Sequence, residues 1–233
     1  MKDVVKKLLG QVIVSCQAYE DTPLYGAENM KIMAQSALMG GAKAIRACWA
    51  QDIKAIRTLG DFPIIGLNKV LDPHREDMDY IYITPTFESA VSVIEAGSDI
   101  LAIDCTLRPE RGKKELKALL KQIKDAYPDL AIMADCETLE DAVFAESTGM
   151  VDILSTTLAG IHRPLKHPDV ELVKAFKEHC SLPVNAEGAI WELADLKAVM
   201  DAGADMACIG TAITRPHLIT RRFINYNEEL KQH

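Results

Sequence analysis

The chain has 233 residues, a formal net charge of −8, and a composition that is 48% hydrophobic and 26% charged. That size suits one large α/β domain or two small ones, with enough chain to bury a substantial core. The negative balance excludes a general nucleic-acid footprint, though not a small anion held by local cations and helix N-termini; no stretch approaches the roughly 20 apolar residues of a membrane span.

Met1 to Cys16 places lysines ahead of an apolar run. Gly10 and Gln11 break that run, so a helix and then a first strand are expected rather than a signal segment. Strands are predicted at Val12–Cys16, Ala44–Ala47, Ile64–Leu67, Ile100–Asp104, Ala131–Asp135, Val151–Ser155, Pro183–Glu187 and Met206–Gly210. Helical patterns run over Gly26–Met39, Glu88–Glu95, Lys113–Ala126, Leu139–Ser147 and Glu192–Asp201. The loop Leu71–Asp79, with Pro73, His74 and Arg75, is expected to be the most mobile piece.

Four helices end at a glycine closely followed by a strand: Gly41, Gly97, Gly149 and Gly203. Their spacing of about 54 residues holds two βα units, so the chain reads as four double units. Glycine suits such a helix end because it accepts the left-handed conformation. Eight units in a chain of this length predict a single-domain (β/α)8 TIM barrel spanning residues 1–233, in the α/β class. A doubly wound open sheet is the alternative, weakened by the lack of a Gly-rich loop after the first strand.

Cys16, Cys48, Cys105, Cys136, Cys180 and Cys208 form no CxxC pair and no zinc pattern. Most sit in apolar runs as small hydrophobes, which points to a reducing, cytoplasmic setting.

Pro63–Lys69 delivers a lysine at the mouth of an apolar strand. Desolvating an ammonium is costly, so Lys69 reads as a catalytic amine or as one half of a strand-end salt bridge. Barrel chemistry gathers where strands run out into βα loops. Those ends carry Ser15 and Gln17, Arg46, Lys69, Asp104 and Thr106, Asp135, Ser155 to Thr157, Glu187 and Gly188, then Gly210, Thr211 and Arg215. Such a ring of charges and hydroxyls predicts a polar small-molecule site, with rim salt bridges and helix caps as the structural alternative. Gly188, Gly210 and Thr211 fall after the seventh and eighth strands, where barrels often seat a phosphate on backbone N–H groups, and Arg215 can add a charged contact.

Several segments resemble the N-acylglucosamine-6-phosphate 2-epimerases, also called N-acetylmannosamine-6-phosphate 2-epimerases. They are Ile13–Gln17, Ile45-Arg46, Ile65-Gly66 with Lys69, Tyr82–Thr86, Met133–Asp135, Ser155–Gly160, Ala186–Gly188 and Ala212–Pro216. The resemblance covers nearly the whole chain. It implies a (β/α)8 barrel of sialic acid catabolism that converts N-acetylmannosamine 6-phosphate to N-acetylglucosamine 6-phosphate without metal, nucleotide or other cofactor. It also implies that Lys69 and Glu187 are catalytic, and that Gln17, Arg46, Asp135 and Arg215 contact the sugar or its phosphate. The chain departs from the family pattern at Asn68, Val70 and Leu71 around the lysine, at Ile161-His162, and at Thr211. Two other readings stay open on the residues: a Schiff-base lyase or aldolase working through Lys69, and a non-catalytic sugar-phosphate sensor. The expected partner is a phosphorylated amino sugar. Phe223 and Tyr226 near the end give the last helix an apolar surface for a homodimer or for packing on the barrel.

Overall fold

Successive side chains of a strand face opposite ways, so each strand of a closed sheet offers one row to the barrel interior and one to the surrounding helices. A computed structural model, which describes residues 1–72, 74–75 and 80–231, has this arrangement. Eight parallel strands close in sequential order, β1 beside β8. They are β1 Val12–Cys16, β2 Ile45–Cys48, β3 Ile64–Leu67, β4 Ile100–Asp104, β5 Ala131–Asp135, β6 Ile153–Ser155, β7 Val184–Glu187 and β8 Met206–Ile209.

The helices are α1 Asp3–Lys6, α2 Ala27–Met39, α3 Ala50–Arg57, α4 Phe87–Ile94, α5 Lys113–Ala126, α6 Leu139–Ser147, α7 Val170–His179, α8 Leu193–Asp201, α9 Thr211–Thr214 and α10 Pro216–Leu230. This is a (β/α)8 barrel, and the open-sheet alternative is set aside. Inside lie Ile13, Ile65, Ile100, Met133, Ile153 and Met206, floored by Val5 and Leu8 from the N-terminal segment. The opposite rows, such as Val14, Ile45, Leu101, Ile132, Leu154 and Ala207, pack against the helices.

The expected bounds shift by one or two residues. β2 runs one residue later, to Cys48. β6 begins at Ile153 rather than Val151, because Asp152 turns its carboxylate onto the Ile132 N–H at 3.0 Å. Gly210 has left β8 with φ −110° and ψ −85° and precedes α9 instead. Of the loop Leu71–Asp79, Pro73 and residues 76–79 lie outside the described residues; the His74 N–H donates to the Asp72 carboxylate at 2.9 Å.

The repeat has a physical basis. Gly41, Gly97, Gly149 and Gly203 all have φ between +69° and +110°, in the left-handed region. After three of them an aspartate follows. Asp99, Asp152 and Asp205 accept an N–H at the start of β3, β5 and β7, from Ile64, Ile132 and Val184, at 2.8, 3.0 and 2.8 Å. Gly66 is needed for closeness: a Cβ there would lie 1.8 Å from Ser98 Oγ.

Candidate active site

The inward rows change character toward the C-terminal ends of the strands. Above the apolar floor they end in Ser15 and Gln17, Arg46, Lys69, Asp135, Glu187 and Gly210. Gln17, Arg46, Lys69 and Glu187 line one cavity of about 220 Å³ with Gly188, Gly210, Thr211 and Arg215. Eight of the nine residues expected at the site therefore meet in one wall. Asp135 does not: it is fully buried and lies behind Arg46.

Arg46 organises the floor of the cavity. Its Nη1 and Nη2 donate to the two Asp135 oxygens at 3.1 and 2.6 Å, and Nη1 lies 3.3 Å from Glu187 Oε2. Burial works against the Arg46 charge, but Asp135 and Glu187 outweigh it and hold its pKa above the usual value. Thr157 donates to Asp135 at 2.7 Å, and Asn185 donates to Ser155 at 2.7 Å and to Glu187 at 3.3 Å. For Glu187 itself, burial pushes the carboxyl above the ordinary glutamate range; Arg46 opposes the rise and Asp135 adds to it. Gln17 Nε2 donates to Ser15 at 2.8 Å. Gln17 Oε1 and Arg46 Nε, both buried, have no hydrogen-bond partner among the described residues.

Lys69 lies just past β3, where the chain doubles back. An antiparallel bridge pairs it with Ile83, the Val70 N–H donates to Tyr82 O at 2.9 Å, and the Thr84 N–H donates to Asn68 O at 2.7 Å. Alternation turns Lys69 inward and Asn68 outward, where its amide donates to Ser92 on α4 at 3.2 Å. Asn68, the departure beside the lysine, therefore points away from the cavity. Trp49 has φ +65°, a costly conformation for a bulky residue; its indole N–H donates to the Lys69 carbonyl at 2.9 Å. The ammonium donates to the Tyr19 hydroxyl at 2.6 Å.

Gly188, with φ +110°, and Gly210 bring bare backbone to the opposite side of the cavity. The Ile213 and Thr214 amides of α9 both donate to Gly210 O at 2.9 Å, and the Thr214 hydroxyl ties α9 to β1 through Ser15 O at 2.8 Å. Thr211, at the start of α9, faces the cavity.

Other rim residues fall elsewhere. Asp104 is buried in a cluster with Thr106, Arg108 and Arg111, and Tyr82 and Ile83 line the cavity in its place. His162 is half exposed, 2.6 Å from Glu137, and outside the cavity wall. Among the described residues no group of three or more His, Cys, Asp and Glu side chains is placed to hold a metal ion.

The sequence reading missed Tyr19, Tyr82, Trp191, Asn185 and Cys208. Three of these were within reach of the period of two: Tyr19 continues Ser15 and Gln17, Asn185 precedes Glu187 by two, and Cys208 precedes Gly210 by two. Tyr82 and Trp191 come from loops, where no such rule applies.

A closed parallel barrel with a polar, cation-bearing cavity at the C-terminal ends of its strands defines the class as a (β/α)8-barrel enzyme. Residues 30–229 match the family described as "Putative N-acetylmannosamine-6-phosphate epimerase", and the chain belongs to that family. A relative from Caldanaerobacter subterraneus subsp. tengcongensis, described as "Putative N-acetylmannosamine-6-phosphate 2-epimerase", is 43% identical over 97% of this chain and 95% of its own length. One from Listeria monocytogenes with the same description is 38% identical, covering 95% and 96%. The solved structure of the N-acetylmannosamine-6-phosphate 2-epimerase from Clostridium perfringens superposes with a TM-score of 0.85 at 36% identity, covering 95% of each chain. A designated aldolase, QR15, shares the fold at a TM-score of 0.65 and 17% identity.

Proposed function

We propose that this chain interconverts N-acetylmannosamine 6-phosphate and N-acetylglucosamine 6-phosphate by taking the C2 proton from one face and returning one to the other. One observation carries the reading. Lys69 follows β3 and Glu187 ends β7, which stand opposite each other in a closed ring of eight strands, and both side chains line the same cavity. An epimerase needs two proton-handling groups on either side of a flattened carbon. The family and its named relatives favour this over a Schiff-base aldolase or a sensor.

In the open-chain sugar, the neutral Lys69 amine removes the C2 proton. The C–H electron pair becomes a C1=C2 double bond, and the carbonyl pair moves onto O1. Arg46 and Gln17 offer N–H donors to that oxygen, fixed before the charge develops. Glu187, whose carboxyl is raised by burial, supplies a proton to C2 from the other side. The reverse reaction exchanges the roles. Gly188, Gly210, Thr211 and Arg215 hold the 6-phosphate on backbone N–H groups, a hydroxyl and a guanidinium. Asp135 acts through Arg46 rather than by touching the sugar.

The six free cysteines support a reducing, cytoplasmic setting, and no described helix is long and apolar enough to cross a membrane. α10 buries none of its residues and exposes Phe223, Ile224 and Tyr226, which supports a homodimer formed through that helix. Light scattering at micromolar concentration checks the mass. The reaction itself is tested by NMR of the chain with N-acetylmannosamine 6-phosphate. Conversion in the wild type and none in Lys69→Ala or Glu187→Gln, both folded, is expected; full activity in either variant overturns the assignment.

A further inference from the structure

Tyr19 makes a contact that the reaction scheme does not use. Its hydroxyl oxygen is 2.6 Å from Lys69 Nζ, and its ring centre is 5.0 Å from the same nitrogen. The two distances place the ammonium beyond the hydroxyl rather than above the ring. The contact is a hydrogen bond, and the ring face remains available to another cation. Arg215 takes that face, with Cζ 5.2 Å from the ring centre. Trp49 braces the ring edge-on, centroids 6.0 Å apart at 80°, while its indole N–H fixes the Lys69 carbonyl.

We propose that Tyr19 is a positioning residue that sets the Lys69 amine for the C2 proton and links it to Arg215 at the phosphate end of the cavity. This rests on the epimerase reading. A lysine side chain has four rotatable bonds and loses conformational entropy when it is held. A phenol on two torsions, already packed against Trp49, supplies a fixed partner at low cost. The contact survives proton transfer: the ammonium donates to the hydroxyl, and the neutral amine still keeps two N–H bonds, one for the hydroxyl, while its lone pair faces the substrate. The same ring is the platform on which Arg215 waits for the phosphate, so one side chain sets both the base and the anchor.

Two variants separate the parts. Tyr19→Phe keeps the ring and deletes the hydroxyl; kcat falls by about ten- to a hundredfold with KM within about twofold. Tyr19→Leu deletes the platform as well, and KM for the sugar phosphate also rises about tenfold. A kcat in Tyr19→Phe within twofold of wild type overturns the lysine half, and equal KM values in the two variants overturn the arginine half. A readout independent of turnover is the rate of reductive methylation of Lys69 with formaldehyde, followed by mass spectrometry. It rises several-fold in Tyr19→Phe; an unchanged rate contradicts the proposal. If the wild type itself shows no turnover, the epimerase reading falls, and the methylation rate still decides whether Tyr19 restrains Lys69.

Discussion

Arg46 meets Asp135 nitrogen to oxygen twice, at 3.1 and 2.6 Å, with both side chains at most 1% exposed. The pair holds the guanidinium against Glu187 and leaves its charge available to the cavity. Removing one partner of a buried pair costs about 3–5 kcal/mol, because the other charge is stranded. Asp135→Ala is therefore expected to lose about 3 kcal/mol in urea unfolding and to lose turnover as Arg46 drifts. Asp135→Asn keeps one acceptor oxygen and should lose less stability than activity. Equal stability of Asp135→Ala and wild type would show that the pair does not organise this site.

Glu187 carries a pH signature. Its carboxyl is raised in the folded protein by burial, with Arg46 opposing and Asp135 adding. A raised folded value means that the favourable contribution is present below the unfolded glutamate value and is lost as pH rises through the folded one. At neutral pH and above, Glu187→Gln should therefore unfold at higher urea than wild type, the gap closing as pH falls into the ordinary glutamate range. The opposite trend, a gap widening in acid, contradicts the assigned direction.

The same pH linkage applies to Asp52, outside the cavity. It sits in the first turn of α3, 1% exposed, and neither carboxylate oxygen has a hydrogen-bond partner among the described residues. Burial pushes its carboxyl up to about 6. Its stability contribution is thus fully present below the ordinary aspartate value and is lost as pH rises through about 6. Asp52→Asn should stabilise the fold by on the order of 2 kcal/mol at pH 8 and by little at pH 4. Urea midpoints at the two pH values decide it.

The repeated aspartates at the N-terminal ends of the strands should matter for stability and leave chemistry alone. Asp152 accepts the Ile132 N–H and faces the Lys2 and Lys124 ammonium groups, the latter at 3.4 Å. Hydrogen bonds to charged groups contribute about 1.5–3 kcal/mol. Asp152→Ala should lower stability by about 2 kcal/mol with kcat and KM unchanged. A changed KM would mean that the two ends of the barrel are coupled.

The barrel was legible because its signals are local and repeat. Glycines at positive φ after Gly40, Ala96, Thr148 and Ala202 mark the double units, and the period of two along each strand sorts Arg46, Asp135 and Glu187 inward. What stayed hidden depends on tertiary contact. Asp104 ends its strand as Asp135 does and pairs with it in register, yet Arg108 and Arg111 capture its carboxylate. Asn68 adjoins Lys69 in sequence and faces the opposite way. Tyr19 lies past the end of β1; it continues the alternation of Ser15 and Gln17, but only folding brings its hydroxyl to Lys69.

Epimerisation here turns on a proton leaving C2. The direct test is NMR of N-acetylmannosamine 6-phosphate with the protein in heavy water. The expected product is N-acetylglucosamine 6-phosphate carrying deuterium at C2, formed by wild type and not by Lys69→Ala. Product that keeps its original hydrogen at C2, or a folded protein that gives no product, would contradict this mechanism.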